Sequence, residues 1–294
     1  MPPRDIAAAL LTAVVWGLSF IAIKIGVREA PPFLLAALRF FFAAFPAIFF
    51  IRPPKAPFAL VALYGVCIGV LQFGMLFLAI KSGMPAGLAS LVVQSQVFFT
   101  ILLAALVFKQ RPKREQIIGA AIALAGICVI GSARLGGARF LPFALTLVAA
   151  ASWAAGNIVG VIASRRATGK LDALSFTVWS SLAVPLPMLA ASFALESGTM
   201  RALTHPSLTL ALCVAALAYG GTLLGFGLWS RLLTMHPAAV VTPFALLVPV
   251  VGMAGGHFVF DEPLEARELL GAALVMAGLA YNIFGQRLFS RARR

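Results

Sequence analysis

Two stretches of this chain are copies of one another: MPAGLASLVVQSQVFFTILLAALVFKQRPKREQIIGAAIALAG (residues 84–126) and HPAAVVTPFALLVPVVGMAGGHFVFDEPLEARELLGAALVMAG (residues 236–278). They align without a gap, and identical residues fall together at Pro85 and Pro237, Phe108 and Phe260, Gly119 and Gly271, and Gly126 and Gly278. Each copy consists of two long apolar runs joined by a short polar loop. The chain is therefore built from a duplicated unit.

The composition indicates that lipid surrounds most of the chain. Hydrophobic residues make up 62% of the 294 positions and charged residues only 11%, which leaves too little polar surface to cover a soluble globule. Apolar stretches long enough to cross a hydrocarbon core of about 30 Å as a helix recur along the whole length. We predict ten membrane-spanning helices, at residues 5–27, 32–51, 58–80, 85–108, 114–132, 141–163, 173–195, 208–233, 237–260 and 266–288.

The loops of the two copies carry opposite charge. The first contains Lys109, Arg111, Lys113 and Arg114, and the second contains Asp261, Glu262, Glu265 and Glu268. Basic loops stay on the cytoplasmic side of a membrane, so the two loops are expected on opposite sides and the two copies in opposite orientations. Such inverted repeats are typical of secondary transporters, which open one site alternately to either face.

The distribution of Lys and Arg predicts the orientation of the chain. With the N-terminus in the cytoplasm, fifteen of these residues fall on the cytoplasmic side, and six fall outside: Arg28, Lys81, Arg134, Arg139, Arg201 and Arg267. This excess predicts that both termini are cytoplasmic. The net charge of +14 then reflects topology and contact with anionic headgroups. It does not predict nucleic-acid binding, because the cations are not gathered on one soluble face.

We expect a single membrane domain over residues 1–294, with one repeat at residues 5–132 and the other at residues 141–288. The first apolar run is too long for a signal peptide and lacks a small-residue cleavage pattern, so we expect it to be retained as a span. Cys67, Cys128 and Cys213 lie within spans without CxxC or Cys/His spacing. They are expected to be small core residues rather than disulfide or zinc ligands, and no metal or other cofactor is expected.

Three elements of the sequence resemble a known family. They are AVVWGLSFIAIKIGV at residues 13–27, LRF at residues 38–40, and the Phe followed eleven residues later by Gly in both copies. These elements are similar to the drug/metabolite transporter superfamily, specifically its EamA-type exporters, and the resemblance covers nearly the entire chain. LVVQSQVFFT at residues 91–100 more particularly resembles bacterial amino-acid and amino-acid-metabolite exporters, including the YddG type. The resemblance implies ten helices in two inverted five-helix repeats, placed in the bacterial inner membrane.

Two positions depart from the family pattern. The Gly-Glu expected at the end of the fourth span is Lys109-Gln110, whereas the second copy retains the acid as Glu262. The proline expected a few turns earlier is present as Pro249 but is Val97 in the first copy. These departures are not expected to affect the fold, but they weigh against a functional role for that glutamate.

The ionisable residues limit the chemistry that can occur inside the membrane. All nine acids map to loops or span ends, so the sequence provides no mid-membrane carboxylate to bind a cation or carry a proton. His257 is expected to be a hydrogen-bonded interface residue, and Lys24 is expected to extend to the headgroups. Arg39 lies on the order of 10 Å into the second span. It is expected either to stabilise a helix end or to capture a substrate carboxylate.

Polar and aromatic residues within the spans predict the position of a cavity. Trp16 and Ser19 have rough counterparts in Trp153 and Asn157, and equivalent positions of inverted repeats meet near the bilayer midplane. The predicted substrate-binding residues are Trp16, Ser19, Arg39, Gln72, Gln94, Trp153, Asn157 and Trp229. Successive helical residues are about 100° apart, so we expect only one of Gln94 and Gln96 to face the cavity. Aromatic walls with amide and hydroxyl groups suit a small amphipathic solute.

The ninth span contains residues that favour flexibility. Pro243 and Pro249 each remove a backbone donor and kink a helix, while Gly252 and Gly256 let neighbouring helices approach closely. Close packing alone would explain the glycines. The further hypothesis is that these four residues form a gate.

The sequence predicts a secondary transporter that exports amino acids or related small metabolites by alternating access, as a passive carrier if no ion is coupled. One alternative is an exchanger of sugar phosphates or nucleotide-sugars, which needs several cavity cations where the sequence offers at most Lys24 and Arg39. A membrane receptor or an intramembrane enzyme is the alternative from another class. An enzyme would need a clustered nucleophile and base or paired carboxylates. The expected partners are a small-molecule substrate and the lipid bilayer, and a monomer is the simplest state.

Overall fold

The computed structural model of the chain describes residues 1–134, 139–262 and 265–291. Within these ranges the chain is entirely helical and contains ten helices that are long and apolar enough to cross a membrane. They are α1 (Pro3–Glu29), α2 (Pro32–Phe49), α3 (Phe58–Lys81), α4 (Ala86–Phe108), α5 (Arg114–Arg134), α6 (Phe140–Arg166), α7 (Ala173–Leu195), α8 (Leu208–Met235), α9 (Thr242–Phe260) and α10 (Ala266–Arg291). The ten predicted spans are confirmed.

Ten consecutive membrane-spanning helices return the chain to the side on which it began, so α1 begins and α10 ends at the same end of the bundle. This end is called the terminal end below. The other end, called the distal end, contains the end of α1, the start of α4 and the end of α9, which contact one another there.

Side-chain caps fix the start of two helices in the second repeat. The Asp172 carboxylate accepts a hydrogen bond of 2.6 Å from the backbone N–H of Ser175 at the start of α7. The Ser207 hydroxyl accepts one of 3.0 Å from the N–H of Leu210 at the start of α8. Each cap satisfies a backbone donor that has no partner within the helix, so both spans begin at defined residues.

Irregular helical turns occur at equivalent places in the two repeats. α3 contains a π-helical segment at Val66–Phe73, and α8 contains one at Ala216–Leu224. α4 contains a 3₁₀ turn at Val93–Ser95, and α9 begins with one at Thr242–Leu246. α4 and α9 also end alike, in left-handed residues: Lys109 has φ 53° and Asp261 has φ 50°. The repeats therefore share local backbone geometry, and π turns occur frequently at functional sites.

The packing of α5 against α10 relates the two repeats by an approximate two-fold axis. A Cβ added at Gly119 would lie 2.7 Å from the carbonyl oxygen of Gly278, and one at Gly126 would lie 2.6 Å from that of Gly271. In the alignment of the repeats, Gly119 corresponds to Gly271 and Gly126 to Gly278. Equivalent residues thus pack reciprocally across one contact, as two inverted repeats require.

Large apolar side chains cover the outer surface of the bundle. Leu106, Leu186, Leu208 and Phe258 are all exposed, Phe258 to 81%, as expected for helices that face lipid. Cys67 and Cys213 are buried in the bundle, but Cys128 is exposed. The prediction that Cys128 is a core residue is wrong, because α5 buries its glycine face against α10 and Cys128 lies outside that face.

Candidate functional site

A cavity of about 480 Å³ lies in the middle of the bundle. Its wall is formed by α1, α2, α3 and α4 of the first repeat and by α6, α8, α9 and α10 of the second. Toward the terminal end the wall extends to Thr242 and Ile283, whereas toward the distal end it reaches Ile23, Leu76 and Ser90. The volume falls within the range of about 300–1,000 Å³ that is usual for small-molecule sites.

The structure brings all eight predicted substrate-binding residues to this cavity. They are Trp16, Ser19, Arg39, Gln72, Gln94, Trp153, Asn157 and Trp229. Lining the cavity does not by itself establish that these residues bind substrate, so that role stays a prediction. Sequence reasoning selected the three tryptophans but not the phenylalanines of the wall, such as Phe73 and Phe226.

Trp16 is fixed against the π-helical segment of α8. Its indole N–H donates a hydrogen bond of 2.9 Å to the carbonyl of Gly221, and its ring centroid lies 5.3 Å from those of Phe226 and Trp229. A side chain at Gly225 would collide with the Trp16 indole. The π segment and the small residue at Gly225 together hold this aromatic wall in place.

A polar network lies on the other side of the cavity, between α4 and α6. The amide nitrogen of Asn157 donates to the Gln96 side-chain oxygen at 2.9 Å and to the Thr100 hydroxyl at 3.0 Å. Gln94 and Gln96 both line the cavity, so the prediction that only one of them does is wrong. The physical reason is the 3₁₀ turn at Val93–Ser95, which changes the angle between these side chains from that of a regular α-helix.

Arg39 is a cation of the cavity wall and is only 3% exposed. Its Nε donates to the Thr222 hydroxyl at 3.2 Å, and its guanidinium carbon lies 3.9 Å from the centre of the Phe73 ring. Nη1 is buried and has no hydrogen-bond partner in the described part of the chain. The contacts of Arg39 are thus made to the side of α8 and to an aromatic ring rather than to a helix end.

The sequence matches the model of the EamA-like transporter family twice, at residues 4–132 and at residues 141–284. The chain belongs to this family, a branch of the drug/metabolite transporter superfamily. The two matches together leave out residues 1–3, 133–140 and 285–294.

Three comparisons support the same assignment. The chain is 45% identical over 297 residues to a probable amino-acid metabolite efflux pump of Salmonella typhimurium, which covers 100% of this chain and 99% of the relative. It is 28% identical over 284 residues to the uncharacterized inner membrane transporter YedA of Escherichia coli, covering 94% and 89%. A crystal structure with 18% identity has the same fold, with a TM-score of 0.63 over 96% of this chain and 98% of that chain. The protein is a multi-pass inner-membrane transporter of a small molecule.

An ion pair at a helix start joins α1, α4 and the end of α9 at the distal end. The Glu262 carboxylate lies 2.5 Å from Lys24 Nζ and accepts hydrogen bonds from the backbone N–H groups of Ala86 (2.7 Å) and Gly87 (3.1 Å). Glu262 is 6% exposed. Negative charge at the first turn of α4 is also favoured by the helix dipole. The prediction that Lys24 extends to the headgroups is wrong, because a buried carboxylate is within its reach.

Two of the four residues predicted to form a gate, Gly252 and Gly256, lie where α9 crosses α4 toward the distal end. A Cβ at Gly252 would collide with Ser90, and one at Gly256 would lie 3.0 Å from the backbone nitrogen of Gly87. Pro249 is buried in α9, and Pro243 lies in the 3₁₀ turn at its start. The close crossing of α4 and α9 is thus observed, while the gating role of these four residues stays a prediction.

Two histidines near the helix ends make polar contacts, of which only one was predicted. His257 Nδ1 lies 3.3 Å from the carbonyl oxygen of Glu262, which agrees with a hydrogen-bonded interface residue. At the terminal end, Asp5 is 1% exposed and lies 2.8 Å from His236 Nε2. Sequence reasoning placed Asp5 and His236 in separate segments and missed this pair, because the two residues are 231 positions apart.

Proposed function

We propose that this transporter exports amino acids or related small metabolites by alternating access through the central cavity. One observation carries the proposal: both repeats line a single cavity, and Lys24 pairs with Glu262 at the distal end, outside the cavity wall. Inverted repeats allow the same two halves to exchange which end is closed. The relative named as a probable amino-acid metabolite efflux pump supports the class of substrate.

The chemistry of the cavity suits an amphipathic solute. Trp16, Trp153 and Trp229 offer flat apolar surfaces, and Gln72 and Asn157 offer neutral donors and acceptors. Such a wall can accept an apolar side chain on one side and the polar groups of an amino acid on the other. Size, shape and polarity therefore agree with a small metabolite.

The direction of transport follows from the orientation that the charge distribution predicts. Fifteen cations are assigned to the side of the termini against six on the other side, which predicts that the terminal end faces the cytoplasm. In the proposed resting form a cytoplasmic solute enters the cavity from the terminal end, and the contacts of Glu262 separate the cavity from the outside. Export begins from this form when the closure at Glu262 opens.

The proposed carrier moves substrate down its own gradient. No Asp or Glu lies in the cavity wall among the residues that the structure describes. Glu262 is a buried carboxylate that could carry a coupling proton, but it is already paired with Lys24 and two backbone N–H groups. The absence of a free cavity acid therefore supports a passive mechanism. An anion exchanger is disfavoured, because Lys24 is occupied by Glu262 and Arg39 supplies a single cation to the cavity.

Trp153→Ala provides the test, measured by counterflow of labelled phenylalanine and alanine into proteoliposomes with a proton ionophore present. An aromatic contact contributes about 0.5–1.5 kcal/mol, so we expect the apparent affinity for phenylalanine to fall up to about tenfold. Alanine should be affected less, because its side chain does not reach the indole. Trp16 is a less direct choice because it also donates a hydrogen bond to Gly221.

Trp179→Ala is the matched control. This indole donates to the carbonyl of Ile51 and does not belong to the cavity wall, so its loss should leave the ratio of the two affinities unchanged. Equal losses for both amino acids in Trp153→Ala would remove Trp153 from the binding site. Counterflow that stops when the ionophore is added would contradict the passive mechanism.

A further inference from the structure

The cavity contains a single full charge, and that charge is positive. Arg39 and the phenol Tyr64 are the ionisable side chains in the wall formed by residues 1–134, 139–262 and 265–291. All nine acids of the chain fall within these described ranges, and none of them belongs to the wall. A substrate in the cavity therefore meets a buried cation without a protein counter-ion.

Arg39 belongs to the cavity wall, and part of its guanidinium has no hydrogen-bond partner in the described part of the chain. Nε is used by Thr222, and one face lies against Phe73 at 3.9 Å. Nη1 is buried without a partner in the described part of the chain, which is energetically costly for a charged donor. A carboxylate fits the planar, forked geometry of a guanidinium, and the charged hydrogen bonds between the two groups are among the strongest in proteins.

The groups available to the other end of an amino acid are neutral. Gln72, Gln94 and Ser19 line the cavity, and the Ser19 hydroxyl donates to the carbonyl of Val15 and keeps its lone pairs free to accept. A neutral acceptor takes a hydrogen bond from an ammonium, a hydroxyl or an amide N–H. It provides no counter-charge that would distinguish the ammonium from the other two donors.

We propose that the cavity recognises the carboxylate of its substrate through Arg39 and does not require the ammonium to be charged. The substrate class is then small carboxylic acids with a hydrogen-bond donor at the neighbouring carbon. It includes amino acids together with their 2-hydroxy and N-acyl analogues. This inference rests on the proposed function, because it names what the same cavity binds.

Two series of compounds test the proposal with the full-length protein in proteoliposomes. The first is L-phenylalanine, L-3-phenyllactate and L-phenylalaninamide, and the second is L-alanine, L-lactate and L-alaninamide. Each compound competes with counterflow of the labelled amino acid of its series. We expect the hydroxy acids to compete within about fivefold of the amino acids. The amides should compete at least about tenfold less well, the loss expected when a charged hydrogen bond is removed.

Arg39→Gln links this preference to one residue. The variant should lose at least about tenfold in affinity for the amino acid and the hydroxy acid but little for the amide, because only the carboxylates lose a charged partner. Arg39→Lys, which keeps the charge without the fork, should retain part of the preference. Arg165→Gln is the matched control, since Arg165 stacks on Phe108 at 4.3 Å and does not belong to the cavity wall.

Binding measured by quenching of tryptophan fluorescence keeps the test valid if a variant folds but does not transport. Amides that compete as well as the amino acids, or hydroxy acids more than about fivefold weaker, would overturn the inference and leave the proposed function in place. The same holds if Arg39→Gln and Arg165→Gln give equal preferences. If no member of either series binds or is carried by the wild type, the proposed function itself fails, and the inference with it.

Discussion

The turns that follow α4 and α9 occupy equivalent positions of the two repeats and have nearly the same backbone, yet they make different contacts. After α9, Glu262 is buried against the start of α4 and paired with Lys24. After α4, the counterpart of Glu262 is Gln110, which is exposed and whose side chain makes no hydrogen bond in the described part of the chain. The turn after α9 therefore has an ionic contact that the equivalent turn after α4 lacks in the described part of the chain.

The crossing of α4 and α9 also differs between the two ends, and this difference again favours closure at the distal end. At the distal end, Gly252 and Gly256 let the backbones of the two helices come close together. Their counterparts on α4 are Thr100 and Ala104, which carry a Cβ and hold neighbouring helices farther apart. An inverted repeat supplies two equivalent closures in principle, and these substitutions make the distal one the stronger. We expect the protein to rest with the distal end closed.

Among the substitutions that test this difference, Glu262→Gln is expected to weaken the distal closure the most. A broken buried ion pair costs about 3–5 kcal/mol, and we expect about 2–3 kcal/mol here because one fifth of the Lys24 side chain is exposed. In a variant without native cysteines, a cysteine at Ser90 should react about 30- to 100-fold faster with an impermeant maleimide added on the distal side.

Glu265→Gln controls for the loss of an acid from the same loop. Glu265 pairs with Arg139 at 3.1 Å on the exposed surface, where such pairs contribute about 0–1 kcal/mol. Its maleimide rate should stay near that of the parent. Equal rates in Glu262→Gln and Glu265→Gln would show that the ionic closure does not hold the distal end.

A smaller effect is expected from Gly256→Ala. The added methyl group would meet the Gly87 nitrogen at 3.0 Å and the Glu262 carboxylate, and such overpacking costs about 1–3 kcal/mol. The same maleimide assay should show a rate increase of about fivefold or more. The counterpart change, Ala104→Gly, removes a methyl group at the other crossing and should alter the rate by less than this. A larger rate change in Ala104→Gly than in Gly256→Ala would contradict the claim that the distal crossing is the tighter one.

The smallest effect is expected from Gln110→Glu, which gives the first repeat the acid of the second. Counted from the aligned residues Trp16 and Trp153, the position equivalent to Lys24 is Val161, so the new carboxylate finds no cation there. We expect a change of about 0.5 kcal/mol or less, as for an ordinary surface substitution. A cysteine at Asn282, labelled from the terminal side, reports it. A strong loss of labelling would mean that an acid alone closes an end.

Much of the fold could be predicted from the sequence, because hydropathy and charge act over whole segments. Twenty apolar residues in a row determine a span whatever the neighbouring helices do, and the loop charges indicate the inversion. The duplicated glycines aligned the two copies, but the packing of Gly119 against Gly278 was not predicted. The least accurate boundary was the start of α9, predicted at residue 237 but found at Thr242. A separate short helix, Ala238–Val241, precedes α9.

The cavity residues could be predicted because a polar or aromatic side chain inside a span needs a partner other than lipid. The contacts among them could not. The pairing of Gln96 with Asn157 depends on a 3₁₀ turn, and Trp16 depends on a π segment in α8, neither of which has a reliable sequence pattern. The role of Glu262 was missed because it becomes buried only when α4 and α1 close over it, across 176 and 238 positions of sequence.

A reversible cross-link at the distal end tests the central claim most directly. The Cβ of Ser90 lies 2.7 Å from the position that a Cβ would take at Gly252, so a shift of about 1 Å gives the separation of a disulfide. In the variant Ser90→Cys/Gly252→Cys without native cysteines, oxidation should abolish counterflow of phenylalanine, and reduction should restore it. Quenching of tryptophan fluorescence should show that the oxidised protein still binds phenylalanine. Counterflow at the reduced rate with the disulfide fully formed would contradict alternating access through this cavity.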